Sequence, residues 1–130
     1  MISIGQIINA MVRYYAGDVR RINHFLKVYG FAKTIGEMEG LDERTQKILE
    51  IAALTHDIGL KNSEKKYNSS AGNYQQVEGP PEAKKLLEGL GIESSVIDRV
   101  CWLIAHHHTY TDINGIDYQI LVEADFLVNA

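Results

Sequence analysis

Apolar residues recur along most of the chain at the spacing of an α-helix, and the alternation typical of β-strands is nearly absent. The pattern predicts helices over residues 4–15 and 18–39, the second of them capped by Asp18. A third helix is predicted after Asp42, which is expected to cap it, and this helix should end near residues 56–59. The first half of the chain therefore has three helices joined by short turns.

The second half has a less regular pattern. From Leu60 to Gly79 the apolar period is lost among Lys, Ser, Asn, Gly and Tyr residues, and we expect a long loop there. Pro80–Pro81 predict the start of a fourth helix that ends at Gly91, because proline is tolerated in a first helical turn. A capping box that begins at Ser95 predicts the fifth helix, and the last is predicted from Asp117 onwards.

The composition fits one folded domain over residues 1–130. Apolar residues make up 45% of the chain and charged residues 23%, which allows a buried core and does not indicate disorder. Periodicity and composition together predict an all-α fold, a single-domain bundle of about five to seven helices. The net charge is -4. Because proteins that bind the nucleic-acid backbone are usually basic, a nucleic-acid partner is disfavoured.

The chain shows no sign of a membrane or secreted protein. No stretch approaches the roughly 20 apolar residues that span a bilayer, so no membrane partner is expected. The N-terminal MISIGQIINAMVRYY lacks the basic flank, long apolar run and cleavage site of a signal peptide. The single cysteine, Cys101, excludes an internal disulfide and a zinc-finger pair. We therefore expect a cytoplasmic protein.

Four titratable residues interrupt the apolar faces of the predicted helices. His24 lies on the apolar side of the second helix, and His56 and Asp57 follow the most hydrophobic part of the third. Asp125 comes four residues after Leu121, on the inward side of the last helix. Burial of an unpaired carboxylate is costly, so an inward Asp needs strong donors, a cation or a metal. Imidazoles and carboxylates are common ligands of divalent metals, and the four together predict a metal site.

Each of these residues, taken alone, has a simpler explanation. His24 fits a hydrogen-bonded core histidine, and Asp125 fits a helix cap or the partner of an arginine. The dipeptide His56–Asp57 occurs by chance in many proteins. The prediction of a metal site depends on the order of all four residues along the predicted helices.

Three segments carry a likeness to a known family: RRINHFLKVYGFA, IAALTHDIGLK and ILVEADFLVN. They resemble the HD domain superfamily, whose signature is a His, then His-Asp, then a distant Asp on a bundle of helices. The resemblance spans residues 20–129 and implies that His24, His56, Asp57 and Asp125 hold a divalent metal ion. Iron, manganese, cobalt, nickel, zinc and magnesium all remain candidates. The resemblance also implies hydrolysis of a phosphomonoester or phosphodiester, commonly a nucleotide.

Departures from the family pattern narrow this expectation. Dinuclear members carry a further histidine where the chain enters the helix after the long loop, and YNSSAGNYQQVEGPPEA has none, so we expect one ion. The Gly-Tyr-Pro motif of the cyclic-dinucleotide branch is missing. The Glu-Asp pair of the alarmone-hydrolase branch is replaced by Ile58–Gly59–Leu60–Lys61. Neither of these specialised substrates is expected.

Three consecutive histidines, His106, His107 and His108, end the fifth predicted helix. Successive side chains on a helix diverge by about 100°, so the three cannot share one role. His107 and His108 follow inward residues by four positions, and we expect one of them to contact substrate, a water or a second ion. Capping of the helix C-terminus is the alternative. His106 is expected to face outward.

Two cations are candidates for binding the phosphate. Arg20 lies four residues before His24 on the same helical side, and Lys61 follows the His-Asp pair. Both are expected to neutralise charge on the phosphoryl oxygens, although Arg20 also fits a surface cation that Arg21 replaces. Asp57 is expected to orient or deprotonate the attacking water in addition to binding the metal.

The resulting prediction is a metal-dependent phosphohydrolase that acts on a nucleotide or a related small molecule. Two alternatives stay open: a non-catalytic HD module that binds a nucleotide or a protein partner, and a structural bundle in which the motif residues satisfy each other. The chain stops soon after Asp125. A minimal domain, a missing C-terminal piece and a homo-oligomer that covers the last helix all fit this.

Overall fold

A computed structural model describes residues 2–69, 71–109 and 114–129. These residues form seven α-helices and no β-strand. The helices are α1 (Ile4–Tyr14), α2 (Val19–Met38), α3 (Glu43–Thr55), α4 (Leu60–Tyr67), α5 (Gly72–Gly89), α6 (Ser94–His106) and α7 (Ile116–Asn129). The predicted all-α bundle is thus confirmed. Within the described ranges, no helix combines the length and hydropathy needed to cross a bilayer.

Side-chain caps define the starts of the first three helices. Ser3 and Gln6 form a capping box at α1. The carboxylates of Asp18 and Asp42 accept hydrogen bonds from the backbone N–H three residues on, as their positions predicted. Gly40 then ends α2 with a φ of +69°, a conformation that favours glycine. Short, well-determined turns therefore fix the orientation of α2 and α3.

Helix α3 is the centre of the bundle and contacts α1, α2, α6 and α7. Its last eight residues, Ile48–Thr55, are all buried, although only part of this run lies on one helical face. A helix that is buried all round is surrounded by other elements rather than laid on a surface. The turn that follows α3 consequently lies in the interior of the protein.

The prediction of a long loop from Leu60 to Gly79 is wrong. That stretch forms α4 and the first half of α5, separated by a short turn. Ser63, Gln75 and Glu78 are buried there, so polar residues occupy positions where the periodicity argument looks for apolar ones. The hydrophobic pattern is lost because these helices do not pack through large apolar side chains.

Glycines take the place of those side chains. Gly59 lies directly before α4, and a Cβ atom built on it would lie 2.5 Å from the backbone nitrogen of Gly79 and 2.6 Å from the carbonyl oxygen of Gln75. Real Cβ atoms do not approach other atoms this closely. The two backbones therefore touch at a point where only glycine fits, and this contact joins the chain before α4 to α5.

The predicted helix start at Pro80–Pro81 is also wrong, because both prolines lie inside α5. A proline in the interior removes a helical hydrogen bond and crowds the preceding turn. The thiol of Cys101, on α6, donates a hydrogen bond to the carbonyl oxygen of Pro80 at 3.4 Å.

The capping box predicted at Ser95 does not form. Helix α6 begins one residue earlier, at Ser94, and the Ser95 hydroxyl donates to the Glu93 carboxylate.

Candidate metal centre

Side chains from α2, from the turn after α3 and from α7 meet beside the central helix. His24 projects from the first half of α2, and Asp125 projects from the second half of α7. His56 caps the C-terminus of α3, and Asp57 follows it in the turn. Because α2 packs on both α3 and α7, the three sources are adjacent. The structure brings all four predicted ligands together.

Four distances define the cluster. The Nε2 atom of His24 lies 3.0 Å from Oδ2 of Asp57 and 3.3 Å from Oδ1 of Asp125. The Nε2 atom of His56 lies 3.1 Å and 3.3 Å from the same two oxygens. Ligands at about 2.0–2.2 Å from a shared metal ion lie roughly 3 Å apart, so these separations fit a common ion.

The local structure fixes which nitrogen of His56 faces the carboxylates. Its Nδ1–H donates to the carbonyl oxygen of Ala53 at 2.7 Å, which leaves Nε2 for the cluster. The side chain is fully buried, and Nε2 has no partner with hydrogen-bond geometry although two carboxylate oxygens are close. A backbone bond of this kind is the usual way a protein orients a metal-binding imidazole. The donor set and this unpaired nitrogen fit a divalent ion.

The backbone that carries Asp57 is held by α1. The hydroxyl of Tyr15 donates to the carbonyl oxygen of Asp57 at 2.6 Å, and the hydroxyl of Tyr14 donates to that of Ile58 at 3.2 Å. Two adjacent tyrosines thus fix successive peptide groups of the turn. The turn has few helical hydrogen bonds of its own, so these contacts contribute to the position of the Asp57 carboxylate.

Asp125 is positioned from the opposite side by α6. Arg99 forms a bidentate ion pair with Asp117, through Nε at 2.9 Å and a terminal nitrogen at 2.8 Å. This fork fixes the first turn of α7 against α6. Asp125 lies about two turns further along the same helix, and Asn129 donates to its Oδ1 at 3.2 Å.

The two imidazoles and two carboxylates shift each other's acidity. Hydrogen bonds to Asp125 and Asp57 raise the pKa of His24 from 6.5 to about 9. Burial alone lowers the pKa of His56, but the charges of Asp57 and Asp125 outweigh it, and the net shift is upward. Burial alone raises the pKa of each carboxyl, yet the imidazoles hold both well below the usual range. The carboxylates therefore stay ionised at neutral pH.

The histidine run at the end of α6 divides into three different environments. His106 stacks on Trp102 with ring centroids 4.1 Å apart, away from the cluster. His107 is fully buried; its Nδ1–H donates to the carbonyl of Ile104, and its unpaired Nε2 lies 3.5 Å from Oδ1 of Asp57. His108 lies against His107 and donates from Nε2 to the side-chain oxygen of Gln75 at 3.2 Å.

His107 therefore bonds a helix carbonyl and also lies beside the cluster, while contact of His107 or His108 with substrate, a water or a second ion stays a prediction. Asp57, His107 and His108 form a second group whose potential ligand atoms all lie within 4.8 Å of one another, as do those of His24, His56 and Asp57. The two groups share Asp57, which presents Oδ2 to one and Oδ1 to the other. Burial and the neighbouring His107 lower the pKa of His108 to about 4, so it is neutral at pH 7.

A cleft of about 770 Å³ opens onto the cluster. His24, Asp57, His108 and Asp125 lie on its surface, and Arg20 is on the same wall as His24. Residues that sequence reasoning did not assign to the site also line it: Tyr15, Asp18, Asn23, Lys27, Leu60, Gln75, Val128 and Asn129. Lys27 follows His24 by three positions, so helical spacing alone was sufficient to find it. The sequence offered no comparable indication for Tyr15, whose contact is with a peptide group.

Lys61 is placed differently from the prediction. Its ammonium group donates to the carbonyl oxygen of Tyr14 at 3.2 Å and lies 5.0 Å from the centre of the Tyr14 ring. It is not among the residues that line the cleft. The first turn of α4 directs this side chain toward α1, so Lys61 joins two helices instead of facing the Asp57 carboxylate.

Comparison with protein-family models gave a match to the HD domain over residues 21–129. This range includes all four cluster residues and most of the chain, and the protein belongs to the HD domain family. Neither the curated proteins nor the solved structures compared with the chain gave a significant match. The family assignment confirms the resemblance carried by the three sequence segments.

Proposed function

We propose that the protein is a metal-dependent phosphohydrolase of small-molecule phosphoesters and that His24, His56, Asp57 and Asp125 hold its divalent ion. The observation that carries this proposal is the convergence of two imidazole nitrogens and two carboxylate oxygens at 3.0–3.3 Å. Membership of the HD family supports it, because the family's usual reaction is phosphoester hydrolysis. The identity of the metal is left to experiment, since imidazole and carboxylate suit several first-row ions.

A divalent ion bound there supplies a Lewis acid for a phosphoryl oxygen and a water of lowered pKa. The protein's own part begins with Asp57, which stays ionised because its pKa lies well below the usual range. We assign its carboxylate to accept a hydrogen bond from the attacking water and to orient it. We assign His108, which lines the cleft, to contact with that water or the substrate, whereas His107 lies fully buried beside Oδ1 of Asp57.

Arg20 is the cation proposed for the phosphoryl group that reacts. It lines the same wall of the cleft as His24, and a guanidinium can donate two parallel hydrogen bonds to phosphate oxygens. Lys61 takes no part in this role because its ammonium group is bound to Tyr14. The cleft volume of about 770 Å³ is in the usual range for a small-molecule site and can accept a nucleotide.

The test is a comparison of Asp57→Ala with Asp98→Ala. Asp98 is an exposed carboxylate on α6 that does not line the cleft, and it serves as the matched control. Elemental analysis of untreated protein gives the metal content, and phosphate release is measured on a panel of phosphoesters and nucleotides with each metal. We expect Asp57→Ala to lose more than about 100-fold in activity, since even indirect support of a metal site is worth 10–100-fold.

The outcomes separate the possible functions. An Asp57→Ala protein that folds and hydrolyses phosphoesters as well as the parent contradicts the proposal. Stoichiometric binding of metal and nucleotide without turnover favours a non-catalytic HD module. Absence of bound metal favours a structural bundle. The ratio of ions to chains also tests the expectation of one ion, because a value of two requires the second group of Asp57, His107 and His108.

A further inference from the structure

One face of α2 forms a wall of the cleft and carries two cations, Arg20 and Lys27. Arg20, Asn23, His24 and Lys27 all lie on the cleft surface. Their positions differ by three, four and seven residues, which places all four side chains within about a third of the helix circumference. The metal-binding His24 lies between the two cations along the helix axis.

Arg20 and Lys27 are unpaired among the residues that the structure describes. Arg21, which also reaches the cleft, pairs with Asp18 at 3.4 Å and with Glu64 at 2.5 Å. Over the described parts of the chain, no carboxylate forms an ion pair with Arg20 or Lys27. The whole protein has a net charge of -4, whereas this wall of the cleft carries two unpaired positive charges. Such a wall attracts anions.

The spacing separates the two cations into different roles. Arg20 and Lys27 are about 10.5 Å apart along the helix axis, with His24 about 6 Å from the first and about 4.5 Å from the second. The forked guanidinium of Arg20 is the cation proposed for the phosphate at the cluster, which leaves Lys27 as the other unpaired cation on this wall. A second anion is therefore favoured at the Lys27 end.

We propose that Lys27 and Asn23 bind a second phosphate group of the substrate. The substrate class is then a phosphoester with two phosphate groups. Their phosphorus atoms are separated by roughly 5–10 Å, which combines the about 4.5 Å axial offset of Lys27 from His24 with the length of the lysine side chain. Lys27 acts as a point charge and Asn23 donates its amide N–H to a phosphate oxygen. The inference rests on the proposed function, because that function defines which phosphate reacts.

The experiment uses two probes that differ only in the second phosphate, butane-1,4-diol bisphosphate and butyl phosphate. Their dissociation constants are measured by calorimetry on the full chain with Mn²⁺ present. We expect the parent to bind the bisphosphate at least about tenfold more tightly, and the ratio of the two constants to fall by about tenfold in Lys27→Gln, as for loss of one hydrogen bond to a charged group. Lys27→Arg should keep most of the ratio, since it retains the charge.

Lys33→Gln is the matched control. Lys33 lies on the same helix but pairs with Glu37 at 3.0 Å and does not line the cleft, so the ratio should not change. Equal binding of the two probes by the parent overturns the proposal, as does failure to bind either. An unchanged ratio in Lys27→Gln overturns it too. A preference for the bisphosphate, together with no phosphate release from any compound of the phosphoester and nucleotide panel, contradicts the proposed hydrolase and still supports the second anion site.

Discussion

The two sides of the cleft are built in different ways. Helices α2, α3 and α7 pack through buried apolar side chains such as Phe25, Leu49 and Leu121. Helices α4 and α5 meet through the backbone contact at Gly59 and through buried polar residues. Apolar packing leaves a periodic trace in the sequence and backbone contact leaves none. For that reason the sequence pattern predicts the first side, formed by α2, α3 and α7. On the second side, formed by α4 and α5, the same pattern predicts a loop.

The largest expected effect on the first side is the pH dependence of metal binding, because that side carries the proposed ligands. His24 has a pKa of about 9 and His56 a raised pKa in the metal-free protein, so both must lose a proton to bind an ion. We expect Mn²⁺ affinity to rise at least about 100-fold between pH 6.5 and 8.5, since one displaced proton gives tenfold per pH unit. Calorimetry in buffers of different ionisation enthalpy measures both the affinity and the protons released.

The stability of the metal-free protein should change in the opposite direction. A raised folded-state pKa stabilises the fold below the unfolded value of 6.5, and this contribution is lost as the pH rises through about 9. Thermal unfolding in the presence of a chelator checks the sign.

A metal affinity that stays constant between pH 6.5 and 8.5 would show that His24 and His56 are not the ligands.

The close backbone contact on the second side is tested by the substitution Gly59→Ala, which adds one methyl group. Gly59 has a φ of -73°, which any residue can adopt, so the effect of Gly59→Ala is steric and not conformational. Its Cβ would require the backbone at Gly79 to move away. We expect a loss of about 1–3 kcal/mol in the free energy of unfolding, the usual effect of overpacking. Urea denaturation measures it, and a loss below about 0.5 kcal/mol contradicts the close contact.

The same substitution on the first side should have the smaller and opposite effect. Gly30 is an exposed residue in the interior of α2, and a Cβ built there meets nothing within 4 Å. Gly30→Ala should therefore stabilise the protein by about 0.5–1 kcal/mol, because alanine loses less backbone freedom in a helix. Urea denaturation beside Gly59→Ala gives the comparison. Destabilisation by both variants would remove the distinction between the two sides.

The candidate site was predictable where its residues are spaced along single helices or joined by the HD signature. The HD signature names His24, His56, Asp57 and Asp125, and the structure places their side chains 3.0–3.3 Å apart, while their binding of a metal stays a prediction. Lys61 was assigned by nearness in sequence to Asp57, but one helical turn redirects its side chain to Tyr14. Sequence distance is a poor guide just after a turn, because the chain direction changes there.

Prediction of the fold from sequence also succeeds for local contacts and fails for contacts between distant positions. The caps at Asp18 and Asp42 act between neighbours three residues apart, so they were recognised from sequence alone. The contact of Gly59 with α5 joins positions about twenty residues apart and has no compositional sign other than two glycines. Pro80 was read as a helix start because its local preference is strong. Tertiary packing overrides such preferences, and here α5 continues through both prolines.

The hydroxyls of Tyr14 and Tyr15 contact the turn that carries Asp57, although both residues precede the region that matches the family. Residues 21–129 contain every proposed ligand, yet the peptide groups that carry Asp57 are anchored from α1, and Ile7 and Met11 of that helix are fully enclosed. A recombinant fragment cut at the family boundary would keep the signature and lose its anchor. Any engineering of this scaffold should therefore treat all seven helices as one indivisible part.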